Sequence, residues 1–262
     1  MNCTQAELYL AILYIGSTVL SIISTVSLVV SWQHWVWTLD VCIDVNCGCI
    51  LYGIKTFNTF MGGDIKICHF TSYGLVPITL FGLCFGCYHG YRRCFSTDLD
   101  EPRIAAGARY RSSNTPSYNG QVVVVTPKRR KPFKQWMLAA FCAVLLSCLS
   151  LAHAVVMTDG FYKTCDQYRK NLRQLLGSSG REIQVIYNRL PCGSIFDFMD
   201  YLQPDANNWR RGDEINTGFA LQLAIFCSWL NFFAWLLSGL INFIMARKRL
   251  NSLGEKLCCC CC

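Results

Sequence analysis

Cysteine offers more chemistry than any other residue type in this chain, which holds 18 of them in 262 residues. Five stand in one run, Cys258, Cys259, Cys260, Cys261 and Cys262, closely behind Arg247, Lys248 and Arg249. Cytoplasmic thiols beside a membrane helix are substrates for S-acylation, so the run supplies S-acylation candidates. A prenylation box needs its Cys four places from the end and a suitable last residue. Cys259 is so placed, but Cys262 is an unusual last residue. An unmodified thiol tail binding soft metal ions is the blander alternative. Cys87 and Cys94 are lesser acylation candidates.

A second set, Cys42, Cys47, Cys49, Cys68, Cys165 and Cys192, falls in two segments with an even number in each, four and then two. In an oxidising compartment these six are disulfide candidates. Four cysteines allow three pairings. A Cys47–Cys49 bond would be strained, which favours either of them paired with Cys68 or Cys42. Cys165–Cys192 is the simplest pairing in the second segment. A metal site on Cys42, Cys47, Cys49 and His69 would need reduced thiolates, which an extracellular position seldom preserves. Cys84, Cys142, Cys148 and Cys227 read as packing residues at helix contacts.

These cysteines must be positioned by membrane helices. The chain is 53% apolar and only 15% charged, and four windows lack Lys, Arg, Asp and Glu altogether: 8–31, 71–91, 136–157 and 219–245. A hydrocarbon core of about 30 Å requires about 20 helical residues, and each window meets that length. Pro77 makes the second the weakest. No basic residue precedes the first window and no small-x-small site ends it. Trp32, Trp35 and Trp37 follow as an interfacial belt, so the segment is expected to be a permanent helix and not a signal sequence.

Lys and Arg bias sets orientation. Segment 32–70 holds only Lys55 and Lys66, whereas 92–135 holds Arg92, Arg93, Arg103, Arg109, Arg111, Lys128, Arg129, Arg130, Lys131 and Lys134 against three acidic residues. Segment 158–218 carries eight basic and eight acidic residues. The expected fold is an all-α four-transmembrane-helix bundle with both termini cytoplasmic, 1–7 and 246–262. Two disulfide-stabilised extracellular loops, 32–70 and 158–218, face a basic cytoplasmic loop, 92–135. The net charge of +8 then faces anionic headgroups. Without an interleaved aromatic platform, it does not point to nucleic acid.

Within this plan Gly82, Gly86 and Gly90 recur every four residues on one face of the second helix and permit close helix packing. Ser17, Ser21, Ser24, Ser27 and Ser31 stripe the first. Gln222, Asn231 and Asn242 read as interhelical hydrogen-bond partners, and His153 as a neutral, hydrogen-bonded residue of the bundle. Residues 96–132 read as disordered, with Ser112, Ser113, Thr115, Ser117 and Thr126 open to phosphorylation and 121–126 able to pair as a strand. The 158–218 loop, with amphipathic stretches at 168–176 and 183–190, reads as a helical cap. Asn2 heads a sequon, Asn2-Cys3-Thr4, that stays bare in the cytoplasm.

Cys49-Ile50-Leu51-Tyr52, Cys68-His69-Phe70, Cys165-Asp166, and Phe219, Ala220, Gln222, Trp229 and Trp235 carry a resemblance to the transmembrane protein 179 family of four-helix proteins. The chain is also similar to the insect Pasiflora group of tetraspan proteins, whose members belong to septate junctions. The poly-Cys run and the long basic loop depart from the family pattern. Claudins carry Gly-Leu-Trp before a Cys pair in the first outer loop. Here Trp37-Thr38-Leu39-Asp40-Val41-Cys42 stands instead, and that signature fails.

The resemblance implies a structural, adhesion or junction-organising protein of the plasma membrane or cell junction, with membrane lipids and membrane proteins in cis or trans as partners. The alternative is a transporter, channel or auxiliary channel subunit, which should show ionisable groups at mid-depth; His153 is the only one. No Walker loop, nucleophile elbow or His-rich metal motif is present, so neither enzyme activity nor a cofactor is expected.

Overall fold

A peptide group in hydrocarbon must be paired within its own segment, and the four apolar windows answer that demand as helices. The computed structural model describes residues 3–38, 47–56, 60–95, 133–175, 189–202 and 215–259. Asn2, Cys42, Cys260 to Cys262, the 96–132 segment and the 183–188 stretch lie outside these. Helix α1 spans Cys3–Thr38, followed by strands β1, Cys49–Lys55, and β2, Phe60–Gly63. Helices α2, Ile65–Tyr73, and α3, Val76–Phe95, follow. Then come α4, Phe133–Leu175, α5, Cys192–Leu202, and α6, Thr217–Cys259. Four stretches are long and apolar enough to cross a membrane: Gln5–Val36, Ile65–Cys94, Gln135–Gln174 and Thr217–Lys248.

Helix α1 is central, packing on α3 at one side and α6 at the other, and α6 packs on α4. The helices alternate in direction. One end of the bundle carries the start of α1 with Arg92, Arg93, Arg247 and Lys248 (the basic end); the other carries the hairpin and α5 (the cap end). At the basic end Ala6, Leu10, Tyr14, Trp136, Trp235, Met245 and Ala246 pack together.

Serine and asparagine side chains tie the helices where lipid offers no partner. Ser17 donates to Asn231 Oδ1, and Asn231 Nδ2 donates to Ser150 Oγ at 3.3 Å. Ser24 donates to the Ala224 carbonyl at 2.9 Å, and Asn242 Nδ2 to the Tyr14 hydroxyl at 2.9 Å. Gln222 instead stands exposed, close enough to Gly193 that a Cβ there would lie 2.6 Å from its Nε2. Gly82 and Gly86 meet α1: added Cβ atoms would fall 2.6 Å from Thr18 Oγ1 and 2.9 Å from Ile15 Cγ1. Gly90 faces open space. Of the cysteines expected at helix contacts, Cys227 is buried and Cys142 partly so, whereas Cys84 and Cys148 are exposed. Those two positions face the bundle's surroundings because their helices use other faces for packing.

Toward the cap end the order of elements departs from the expected pattern at three places. Segment 32–70 is not simply a loop, because α1 continues to Thr38 and β1 pairs antiparallel with β2, joining Cys49 to Gly63 and Lys55 to Phe60. The chain is therefore mostly helical, not all-α. The second window begins earlier, at Ile65, where Asp64 caps the helix by accepting the Lys66 N–H at 2.9 Å. It is broken at Gly74 and Leu75. Pro77 has no N–H to give the Tyr73 carbonyl, so the regular ladder cannot run through. His153 Nε2 lies 2.8 Å from the Thr71 carbonyl oxygen, and its Nδ1 lies 2.7 Å from Ser228 Oγ. A carbonyl can only accept, so Nε2 carries the proton, and in the neutral ring Ser228 donates to Nδ1.

Third, α4 does not stop near Met157. It runs 43 residues, or ~65 Å at 1.5 Å per residue, about twice the hydrocarbon thickness. Phe161, Cys165, Tyr168 and Leu172 continue an apolar stripe at helical spacing and are all buried. Asp159–Lys163 at 2.9 Å and Asp166–Lys170 at 2.6 Å are i,i+4 ion pairs on its exposed face, the arrangement that supports a helix in water.

Replacing His153 by Leu would leave the Thr71 carbonyl and the Ser228 hydroxyl without these bonds in the packed interior. The expected loss is about 1–3 kcal/mol, read as a lower unfolding temperature in detergent, with Cys148→Ser on the exposed face unchanged.

Candidate functional site

The cap is built on the extension of α4. Thr164 is the fastening point: its hydroxyl donates to the Ile50 carbonyl at 3.1 Å and accepts the Gly53 N–H at 2.9 Å, so one side chain holds both sides of a bend in β1. Pairing with β2 is irregular between Cys49 and Ile54, and within that bulge Tyr52 has φ of 58°. A bulky residue there costs of order 1–3 kcal/mol. The side chain shows what holds it. Tyr52 donates to Asp159 Oδ2 at 2.7 Å, and the Lys163 ammonium lies 4.9 Å from its ring centroid. Burial, with the hydrogen bond and charge of Asp159, pushes the Tyr52 phenol up to about 12. It therefore stays a neutral donor at any physiological pH. Gly160 makes the close seat possible, since a Cβ there would lie 2.8 Å from Tyr52 Cε2 and 3.0 Å from Leu51 Cβ.

An edge-to-face aromatic chain then ties three elements: Trp35 of α1 to Phe60 of β2 at 6.0 Å, and Phe60 to Tyr168 of α4 at 5.2 Å. Helix α5 closes the other side. Phe196 stacks on Phe161 at 4.9 Å, Arg169 donates to the Leu190 carbonyl, and Asp197 accepts the Gly218 N–H at 2.9 Å. Ile50, Leu51, Ile195, Phe196, Leu221 and Ala224 share this core.

Two disulfides fasten these parts. Cys49–Cys68 joins β1 to α2 across 19 residues, and Cys165–Cys192 joins α4 to α5 across 27. Each closes a loop whose restriction of the unfolded chain is worth about 3 kcal/mol. Cys47 is also disulfide-bonded. With Cys47 and Cys49 committed to sulfur, the thiolate set weighed for a metal is not available. The ring of His69 is instead edge-on to Trp32 at 5.4 Å and stacked on Tyr73 at 5.7 Å. With Phe70 and Val36 exposed beside them, these rings form an amphipathic belt where the bundle meets the cap.

Above that belt the cap presents Ile54, 58% exposed on the hairpin, and Tyr162, 60% exposed on α4, among the charged side chains Lys163, Lys170 and Arg173. At the opposite end the structure joins two residues that the sequence reading had left apart. Glu7 of α1 and Arg92 of α3 pair at 3.2 Å, with the Glu7 side chain only 7% exposed. No protein-family model, curated protein or solved structure matches the chain.

Gly160→Val is expected to lift the hairpin from α4 and weaken the protection of Cys49–Cys68. Alkylation of thiols under mild reductant, followed by mass spectrometry, should show Cys49 and Cys68 labelled faster than in the unaltered chain, with Cys165 and Cys192 following more slowly.

Proposed function

We propose that this is a multi-pass protein of the plasma membrane with a structural, adhesive or junction-organising role, in which the cap is an extracellular docking surface for a membrane protein in cis or trans. The observation that carries the proposal is the cap itself, a hairpin and a helix bound by disulfides and a shared core to a helix that outruns the hydrocarbon by many residues. A rigid, raised platform with charged and apolar groups on its free face is an economical way to present a protein-binding surface.

Three further observations support the reading. Arg92, Arg93, Arg247 and Lys248 gather at the basic end, the pattern of a cytoplasmic face, and disulfides at the opposite end suit an oxidising exterior. His153 is fully buried and bonded at both ring nitrogens, as a structural joint would be and a solute-carrying group exposed to water would not. The motif resemblance to the transmembrane protein 179 family and the Pasiflora group points the same way.

The test uses epitope-tagged full-length chain expressed in cells that form contacts, scored for surface delivery and for enrichment where two expressing cells meet. The intact chain should concentrate at contacts, and Ile54→Asp combined with Tyr162→Asp should reach the surface yet lose that enrichment. Uniform distribution of the intact chain, or undiminished enrichment of the variant, would contradict the proposal.

A further inference from the structure

The seam between α1 and α3 closes at two glycines and opens at a third. Gly82 and Gly86 leave room only for α1, since added Cβ atoms would fall 2.6 Å from Thr18 Oγ1 and 2.9 Å from Ile15 Cγ1, whereas a Cβ on Gly90 would meet nothing within 4 Å. Helix geometry gives the reason. Each step of four residues overshoots a 3.6-residue turn by about 40°, so the glycine stripe rotates off α1 and Gly90 turns toward the outer side of the seam. Beyond it the seam is tied again by Arg92 and Glu7 at 3.2 Å. A notch is left between these closures. At its back Tyr14 stacks on His89 with ring centroids 5.7 Å apart, and His89 is buried. Its outer flanks, Leu8 and Ile12 on α1 and Cys87 and Tyr91 on α3, are exposed. Arg93, also exposed, stands about one turn from Gly90 at the mouth and has no carboxylate partner among the described residues. The Arg92–Glu7 contact lacks the alignment of a hydrogen bond, so the Arg92 guanidinium keeps donors for a further group.

We propose that this notch holds one anionic phospholipid of the adjoining leaflet, with its phosphodiester on Arg93 and Arg92 and an acyl chain running past Gly90 between Ile12 and Cys87. Planar guanidinium groups match phosphate oxygens in pairs, and apolar flanks beside a missing side chain suit a run of methylenes. Charge selects the lipid. Among the described residues Arg92, Arg93, Arg247 and Lys248 stand at this end against Glu7, which favours a headgroup of net negative charge over a zwitterionic one. A second copy of the chain is a poorer occupant, because a like seam would bring its own arginines against these. The site differs from the general attraction of a basic surface for anionic lipid in that it depends on the shape of the notch as well as on charge. It is independent of the cap and of which side of the membrane the basic end faces.

Full-length protein is reconstituted into nanodiscs of phosphatidylcholine and phosphatidylglycerol in equal parts, identical in both leaflets, and released for native mass spectrometry. A single phosphatidylglycerol should be retained in preference to phosphatidylcholine. Arg93→Gln should lower its retention roughly tenfold, the weight of about one charged hydrogen bond. Gly90→Leu fills the notch and alters no charge, and it should lower retention as far. Cys87→Trp, which overhangs the notch from an exposed position, should do the same and replaces Gly90→Leu if that variant lowers the unfolding temperature. Gly16→Leu, placed where an added Cβ also meets nothing within 4 Å, should leave retention unchanged. Equal retention of both lipids overturns the proposal. So does loss with Arg93→Gln but not with the notch-filling variants, which would assign the effect to charge alone. A dimer that Gly90→Leu dissolves would likewise overturn it, by assigning the notch to a second copy.

Discussion

A peptide group placed in hydrocarbon has no water to turn to, and most of this structure follows from that constraint. It makes each apolar window a helix and forbids an unsatisfied break inside one. Where Pro77 enforces a break, the chain meets the demand by another route: His153, on α4, supplies a donor to the Thr71 carbonyl at 2.8 Å and engages Ser228 of α6 at 2.7 Å. A defect in one helix thereby becomes a joint among three. The same economy explains the buried serines and asparagines, which exchange hydrogen bonds between helices because lipid offers none.

Outside the hydrocarbon the constraint reverses, since water will pair any backbone group and a helix must be held by side chains. Helix α4 persists there because Asp159, Lys163, Asp166 and Lys170 suit its wet face and because Phe161, Cys165, Tyr168 and Leu172 give the other face something to bury. The hairpin is too short to stand alone. It is stable as a lining on α4, pinned by Thr164, seated at Gly160 and fastened through Cys49–Cys68 to the head of α2. The disulfides therefore do not merely close loops. They join the cap to two of the helices that support it.

What was legible in the sequence and what was not divide along physical lines. Long charge-free windows announce themselves, since no other fate suits them, and the four membrane-length helices lie where the windows are. The α4 extension was harder to read because Asp159, Lys163, Asp166 and Lys170 interrupt the apolar run while leaving the 161, 165, 168, 172 stripe intact. The hairpin was harder still. Successive residues Cys49, Ile50 and Leu51 are all buried, since the strand is enclosed by α2, α4 and β2, so no alternation marks it. The contacts of Thr164 and of Glu7 with Arg92 span long sequence distances, and nothing local encodes them. The Gly82 and Gly86 spacing was readable because close approach leaves a regular mark, although Gly90 continues the spacing into open space.

Held by the cap around it, the segment of α4 beyond the bundle should behave as a rigid pillar. Hydrogen–deuterium exchange of the oxidised protein in nanodiscs reads this directly. Amides of residues 160–172 should exchange slowly, near the rate of the bundle helices, and accelerate when Cys49–Cys68 and Cys165–Cys192 are reduced. Fast exchange of these amides with both disulfides intact would contradict the account.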